Sequence, residues 1–357
     1  MNRSFFSALV WACLAAPSLV AAQPVARPDI ELFPRTPPEG AARWQGTQID
    51  LSLVTTLATL APSLRTVPDP YVAFGVRLRP RYYLSQHFQL RASWNLTTEL
   101  TNSDTTSTLH EPRASDPTLS LWFHGTPAFL GARTSFFAGV QFPVSPESRA
   151  DSLILGTGFG VQFARRFDGA LGRLDLIGRV GAYKAFHQFT APGIRGDFPY
   201  SRTCGSGTTA TSCGGSATGA GYNTSHAVYA NLTVAPRWGW FSPGLLLAWS
   251  TSWSYAPPES SRYLPDDPTN ASQSTRFAFW LDFIPSAWVT LELGYQLSRK
   301  ILDADGSYGN PFFSSHGDSL LYVNATFSPE EVVRAVRGEP RGPGGIYRAR
   351  SDRRDSF

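Results

Sequence analysis

Six arginines matter here for where they stand: Arg77, Arg79, Arg81, Arg91, Arg179 and Arg276. Each falls on the polar phase of a segment that alternates apolar and polar residues. In such a segment successive side chains point to opposite faces of a strand. Four carboxylates share that phase: Glu99, Asp175, Asp282 and Glu292. Lined along a narrow passage, such groups attract or repel permeating ions, because low-dielectric walls focus their field. A tight turn at 85–87 would make residue numbers on the two flanking segments sum to about 172, which sets Arg81 opposite Arg91. Like charges directly opposite repel, so this pair needs water, an acidic partner or an anionic ligand beside it. Arg77, Arg79, Arg81 and Arg91 are expected to form one positive strip, with the four acids supplying an opposing wall. The outcome is either a pore that favours anions or a lumen closed by its own ion pairs.

Other motifs offer chemistry and fall short of it. Gly317-Asp318-Ser319-Leu320 is similar to the signature of a lipase and esterase family, but no His follows His316 to complete the triad. It reads as a loop entering a strand. Ser225-His226 resembles the pair used by lipid-modifying barrel enzymes, with no third member in sight. Gly156, Gly158 and Gly160 alternate along a strand and are expected to leave room on its inner face. Asp303, Asp305 and Gly306 resemble part of a calcium loop without its closing Glu, and read as a solvated loop. No catalytic residue, metal ligand set or cofactor motif is assigned. Cys204 and Cys213 lie in a Gly/Ser/Thr-rich stretch, and an even pair in an oxidising compartment is expected to form a disulfide.

What must position the arginines is a set of short alternating segments. They span 47–57, 72–84, 88–97, 118–124, 134–142, 153–164, 173–183, 226–235, 245–255, 276–283, 288–298 and 319–327. Each is near the ~9–11 residues of a tilted strand crossing a bilayer. Connections after even-numbered segments are short and those after odd-numbered ones mostly long. Bacterial barrels keep short turns in the periplasm and long loops outside. An even count with a periplasmic start returns the last strand to the periplasm. The fold class expected is all-β: an antiparallel transmembrane β-barrel of about 12 strands. A charge facing lipid at mid-membrane costs about 2–4 kcal/mol, so the arginines must face the lumen. Tyr82, Trp94, Trp238, Trp240, Trp253 and Trp288 fit interfacial girdles.

The ends and the composition agree. Residues 1–22 read as a signal peptide, with Arg3, an apolar run broken by Pro17, and Val20-Ala21-Ala22 before the cleavage point. Residues 23–46 form a Pro-rich extension or plug, whose Asp29 and Glu31 could reach the arginines. Residues 47–327 form the barrel and 328–357 a basic periplasmic tail. Charged residues make up 16% and aromatics 13%, against ~25% charged in a typical soluble domain. The net charge of +4 comes with no basic helix and no zinc-finger spacing, so nucleic acid is not a partner.

Leu321-x-Val323-x-Ala325-x-Phe327 is similar to the terminal-strand signal of Gram-negative outer-membrane barrels, although thirty residues follow it. Phe142-Pro143-Val144-Ser145 with Leu155-Gly156-Thr157-Gly158 resembles the phenol-degradation (MetA-pathway) outer-membrane transporter family. The resemblance implies the outer membrane as location. The partners expected are its lipids and lipopolysaccharide, the barrel assembly machinery, and a small solute, anionic or aromatic, passing an Arg-lined lumen. A closed structural or surface-interaction barrel is the alternative, and a lipid-modifying barrel enzyme the third.

Overall fold

The computed structural model of the chain describes residues 43–61, 71–101, 110, 112–128, 131–169, 172–191, 202–204, 211–213, 222–255, 270–301, 308–314 and 319–337. Among them twelve strands close into an antiparallel barrel. They are β1 (Gln48–Thr56), β2 (Val72–Arg79, resumed at Arg81–Tyr83), β3 (Phe88–Glu99), β4 (Pro112–Ala114 and Thr118–Phe123), β5 (Arg133–Gln141) and β6 (Leu153–Gly169). Then follow β7 (Gly172–His187), β8 (Thr224–Arg237), β9 (Phe241–Ser254), β10 (Ala271–Phe283), β11 (Val289–Lys300) and β12 (Ser319–Phe327). Each strand pairs with the next in sequence. β12 returns to β1, with Ile49 opposite Phe327 and Thr56 opposite Leu320. The barrel sheet thus closes on itself, the condition for a sheet to stand in lipid.

The period-two pattern sorts the two faces. On β10, Phe279 is 40% exposed while Ala278, Trp280 and Asp282 are at most 1% exposed. Leu53, Phe74, Phe136, Leu232, Leu293 and Val323 continue the exposed apolar belt around the other strands. A soluble protein does not show such a belt to water, so the belt faces lipid. Short connections gather at one end and long ones at the other. At the short-turn end Trp240 packs against Phe241 and Phe283, and Trp288 stacks with Phe327. The β8–β9 turn is tight: the Trp238 N–H donates to the Phe241 carbonyl at 2.9 Å and the Phe241 N–H donates back at 3.0 Å. Gly239, with φ +60°, takes the position where a side chain would be strained. Even strand number, asymmetric loops and an apolar belt make this an outer-membrane-type barrel, its short turns periplasmic.

Several boundaries differ from the pattern. β2 breaks at Pro80, which has no N–H for the ladder, yet the Pro80 carbonyl still accepts from the Ala92 N–H at 3.0 Å. Residues 112–114, expected in a loop, pair with β3, Thr97 opposite Arg113. β6 to β10 run longer than the alternation indicates, because strands outlast the membrane. Three short helices appear: α1 (Leu57–Leu60), α2 (Pro146–Ala150) and α3 (Pro329–Val336). The last begins two residues beyond β12, in the segment read as a tail. No helix among the described residues is long and apolar enough to cross a membrane. A separate hairpin pairs Arg202–Cys204 with Thr211–Cys213. The signal peptide, the extension through residue 42 with Asp29 and Glu31, Asp303, Asp305, Gly306, His316–Asp318 and the tail beyond 337 lie outside the described residues.

Candidate functional site: a two-tiered lumen

The periplasmic half of the lumen is filled by inward side chains. Arg79 Nη2 meets Asp50 Oδ1 at 2.6 Å, both side chains buried. The same oxygen accepts from the Thr326 hydroxyl at 2.7 Å. These three residues sit on β2, β1 and β12, so one carboxylate spans the seam where the barrel closes. Asp175 pairs with Arg166 across β6 and β7 at 2.9 Å. Leu246, Ile177, Ala164, Ala278 and Trp280 form an apolar cluster in the same interior.

Two like-charge pairs face each other in register at this end. Arg81 lies opposite Arg91, as the sum of 172 requires, and Asp282 lies opposite Glu292. The arginines live together by diverging. Arg91 sets its guanidinium 3.8 Å over the Trp122 ring and donates from Nε to Gln89 Oε1 at 2.6 Å. Arg81 lies beside Gly46 at the periplasmic rim, where α3 brings up Glu330.

Above this packing opens a cavity of about 540 Å³. Its walls carry Arg77, Arg179, Trp122, Phe137, Tyr183 and Tyr229; its roof carries Glu147, Ser148 and Asp151. The roof is the β5–β6 connection folded inward. Ser145 caps α2 by accepting from the Ser148 N–H at 3.1 Å, with Pro146 as its first residue. Asp116 accepts from the N–H groups of Val144 (2.9 Å) and Ser145 (2.7 Å), from Gln141 Nε2 (2.7 Å) and from the Ser148 hydroxyl. Arg113 pairs with Glu147 at 2.5 Å. The Asp151 carbonyl accepts from His187 Nδ1 and Asn223 Nδ2, both at 2.7 Å. The Asp151 carboxyl, by contrast, is pushed up to about 6 by burial, with the charges of Glu147 and Asp116 adding to the shift.

Inward aromatic rings lie over glycines of the neighbouring strand. Trp280 covers Gly244, Tyr322 covers Gly294, Tyr229 covers Gly181, Phe137 covers Gly160 and Tyr183 covers Gly156. A Cβ on any of these glycines would collide with the ring. The inner glycines expected to leave open space therefore hold rings flat against the wall, and the passage is narrower than the backbone alone would give.

The four strip arginines do not share one environment. Arg77 alone among them lines the cavity, donating from Nε to Ser93 at 3.3 Å. Arg79, Arg81 and Arg91 belong to the packed half. Arg179 reaches the cavity, donates to Gln162 at 2.7 Å and lies 5.2 Å from the Trp122 ring centre. Arg276 donates to Gln296 at 2.5 Å, outside the cavity. Of the four acids none lines the cavity; Glu99 is buried at the outer end of β3, accepting from Thr101 at 3.0 Å. The acids that line it are instead Asp50, Asp116, Glu147 and Asp151. Sequence reasoning passed over the last three because they sit in connections; on the inner phase it singled out six arginines and four other carboxylates, and neither Asp50 nor the rings of Trp122, Phe137, Tyr183 and Tyr229. The Ser145-Pro146 start signal was available.

The candidate nucleophiles have other engagements. Ser225 Oγ lies 2.7 Å from His226 Nδ1 and donates to the Trp253 carbonyl at 3.0 Å. Ser319 Oγ is fully buried and donates to the Ser314 carbonyl at 2.7 Å. No three His, Cys, Asp or Glu side chains among the described residues are arranged to hold a metal ion. In the loop hairpin Cys204 pairs with Thr211 and Cys213 with Arg202, two positions out of step.

No protein-family model and no curated protein matches the chain. The likeness to the phenol-degradation family therefore rests on residues 142–145 and 155–158 alone. Solved structures do align. The COG4313 outer membrane channel from Pseudomonas putida F1 is 12% identical, with 80% of this chain and 96% of that one covered and a TM-score of 0.44. The NanC porin is 11% identical over 78% of this chain and 99% of its own, with a TM-score of 0.40. The outer membrane phospholipase A from Escherichia coli is 12% identical over 79% and 92%, with a TM-score of 0.32. These likenesses are of barrel architecture alone.

Proposed function

We propose that the barrel is a conduit for small solutes across the bacterial outer membrane, selective for anionic or aromatic ones. The observation that carries this reading is the cavity itself, with Arg77 and Arg179 on its wall among four aromatic rings. Guanidinium groups attract anions, and stacked rings accept flat apolar surface. The chemistry is binding and passage, with no bond made or broken. The barrel reaches the membrane through the assembly machinery, which its terminal strand Ser319–Phe327 would engage. Single-channel recording in planar bilayers tests the proposal. Wild-type protein is expected to conduct, with a reversal potential on the anion side under a salt gradient. Arg77→Gln with Arg179→Gln should move that potential toward cations.

A second reading has its own observation. The periplasmic half is packed with buried side chains and ion pairs, which suits a closed structural or surface-interaction barrel. Silence in the bilayer, for wild type and for protein lacking residues 23–43, would favour it.

A further inference from the structure

Lys184 and Lys300 are the chain's only lysines, and Lys184 stands in an unusual place. On β7 its neighbours Tyr183 and Ala185 line the internal cavity, so Lys184 itself points outward, in phase with Leu174, Leu176, Val180 and Ala182. His226 is its register partner on β8 and Trp253 is the partner of His226 on β9. His226 is exposed, between the buried Ser225 and Ala227. Its ring stacks on Trp253 at 4.8 Å and 11°, and its Nδ1 is engaged by Ser225. Lys184 Nζ lies 5.2 Å from the Tyr255 ring centre and 6.0 Å from that of Phe186. Neither Lys184 nor His226 has an acidic partner among the described residues.

The depth of this pair in the membrane follows from the strand. Trp238 marks the periplasmic turn of β8, twelve residues beyond His226. At ~3.3 Å per residue and a tilt of ~40°, that is roughly 30 Å along the barrel axis. A bilayer's hydrocarbon core is ~30 Å thick. Lys184 and His226 therefore sit at the extracellular interface, where a cation costs little and lipid phosphates lie level with it. The lipid-facing positions below them on β7 and β8 carry no charge.

We propose that Lys184 and His226, flanked by Trp253, Tyr255 and Phe186, form a docking site for the phosphate group of a lipid in the extracellular leaflet. The inference rests on the outer-membrane reading of the belt and is independent of whether the lumen conducts. The Lys184 ammonium supplies donors to the phosphate, and the His226 ring, fixed by Ser225 and stacked on Trp253, lies beside it. The rings cover the sugar or glycerol and the first carbons of the acyl chains.

The test uses the full-length barrel in detergent, titrated with bis-phosphorylated lipid A and with the same lipid stripped of phosphate. Bound lipid is counted by native mass spectrometry. Wild type should hold the phosphorylated form about ten-fold more tightly than Lys184→Gln/His226→Gln, a loss expected of one interfacial cation and the ring beside it. Lys184→Arg should retain binding, and Lys300→Gln should behave as wild type. If the double variant fails to fold, each single variant is measured the same way and should lose part of the preference. Equal binding of both lipids by wild type, or equal retention by the variants, overturns the proposal. So does displacement of the lipid by inorganic phosphate, which would make this a site for a free anion. A barrel that does not insert into bilayers at all would fail the membrane reading instead.

Discussion

The Glu330 carboxylate accepts a hydrogen bond from the backbone N–H of Gly46 at 2.9 Å, joining the segment after the last strand to the one before the first across 284 positions. Glu331 beside it is also buried and accepts from Arg334 at 2.9 Å. α3 thus turns its charged face to the periplasmic mouth and leaves Val333 and Val336 exposed. Burial pushes the Glu330 carboxyl up from its ordinary 4.5 to about 7; the Gly46 N–H, Arg334 and Arg81 oppose that shift and Glu331 adds to it. An acid whose folded pKa is raised contributes stability that is full below 4.5 and is lost as pH rises through 7. Docking of α3 should therefore loosen by up to ~3 kcal/mol between pH 4.5 and 8. Hydrogen exchange over 329–336 measures this, and Glu330→Gln should flatten the dependence. Protection that is independent of pH in wild type would contradict it.

Asp151 predicts a pH effect of its own if the barrel conducts. Its carboxyl titrates near 6 at the roof of the cavity. As pH falls through that value the roof loses a negative charge while Arg77 and Arg179 keep theirs. Anion preference should rise between pH 7 and pH 5, and Asp151→Asn should show the acid-side preference throughout. A reversal potential that stays constant over this range would remove Asp151 from the pathway.

The seam of the barrel depends on Asp50. Removing one member of a buried ion pair costs up to ~3–5 kcal/mol, and Asp50 is the buried partner of Arg79. Asp50→Ala should lower the thermal midpoint in detergent well below that of Thr326→Ala, which removes a neutral donor to the same oxygen. Equal midpoints for the two variants would place the closure energy elsewhere.

Gly244 and Trp280 form a testable packing pair. Gly244→Ala drives a methyl into the ring of a fully buried tryptophan and should cost ~1–3 kcal/mol. Gly178 has nothing within 4 Å of a built Cβ, so Gly178→Ala is the matched control and should be close to neutral. Denaturation in urea separates them.

Cys204 and Cys213 remain proposed as a disulfide of the extracellular loop. Closing a loop of about ten residues is worth ~2–3 kcal/mol in the chain-entropy model. Alkylation of non-reduced protein followed by mass spectrometry should find no free thiol in the loop, and finding two would settle the matter against the bond.

The barrel, its strand parity and the direction of each inner arginine were legible in the sequence, because a strand's faces are set by residues two apart. Phe277, Phe279, Leu281 and Phe283 need no distant information to declare a lipid face. The turn at 85–87 fixed the register of Arg81 and Arg91 for the same local reason. What lies between the walls was decided only by tertiary structure. Asp50 meets Thr326 because the first strand closes on the last, and Glu330 meets Gly46 for that reason too. Whether Arg79 faces solvent or a carboxylate depends on a neighbour 29 positions away. The rings over Gly244 and Gly294 and the inward fold of 142–152 under Asp116 arise from cross-strand register and volume. Those quantities exist only once twelve strands have met, and they divide the lumen into a packed half and an open one.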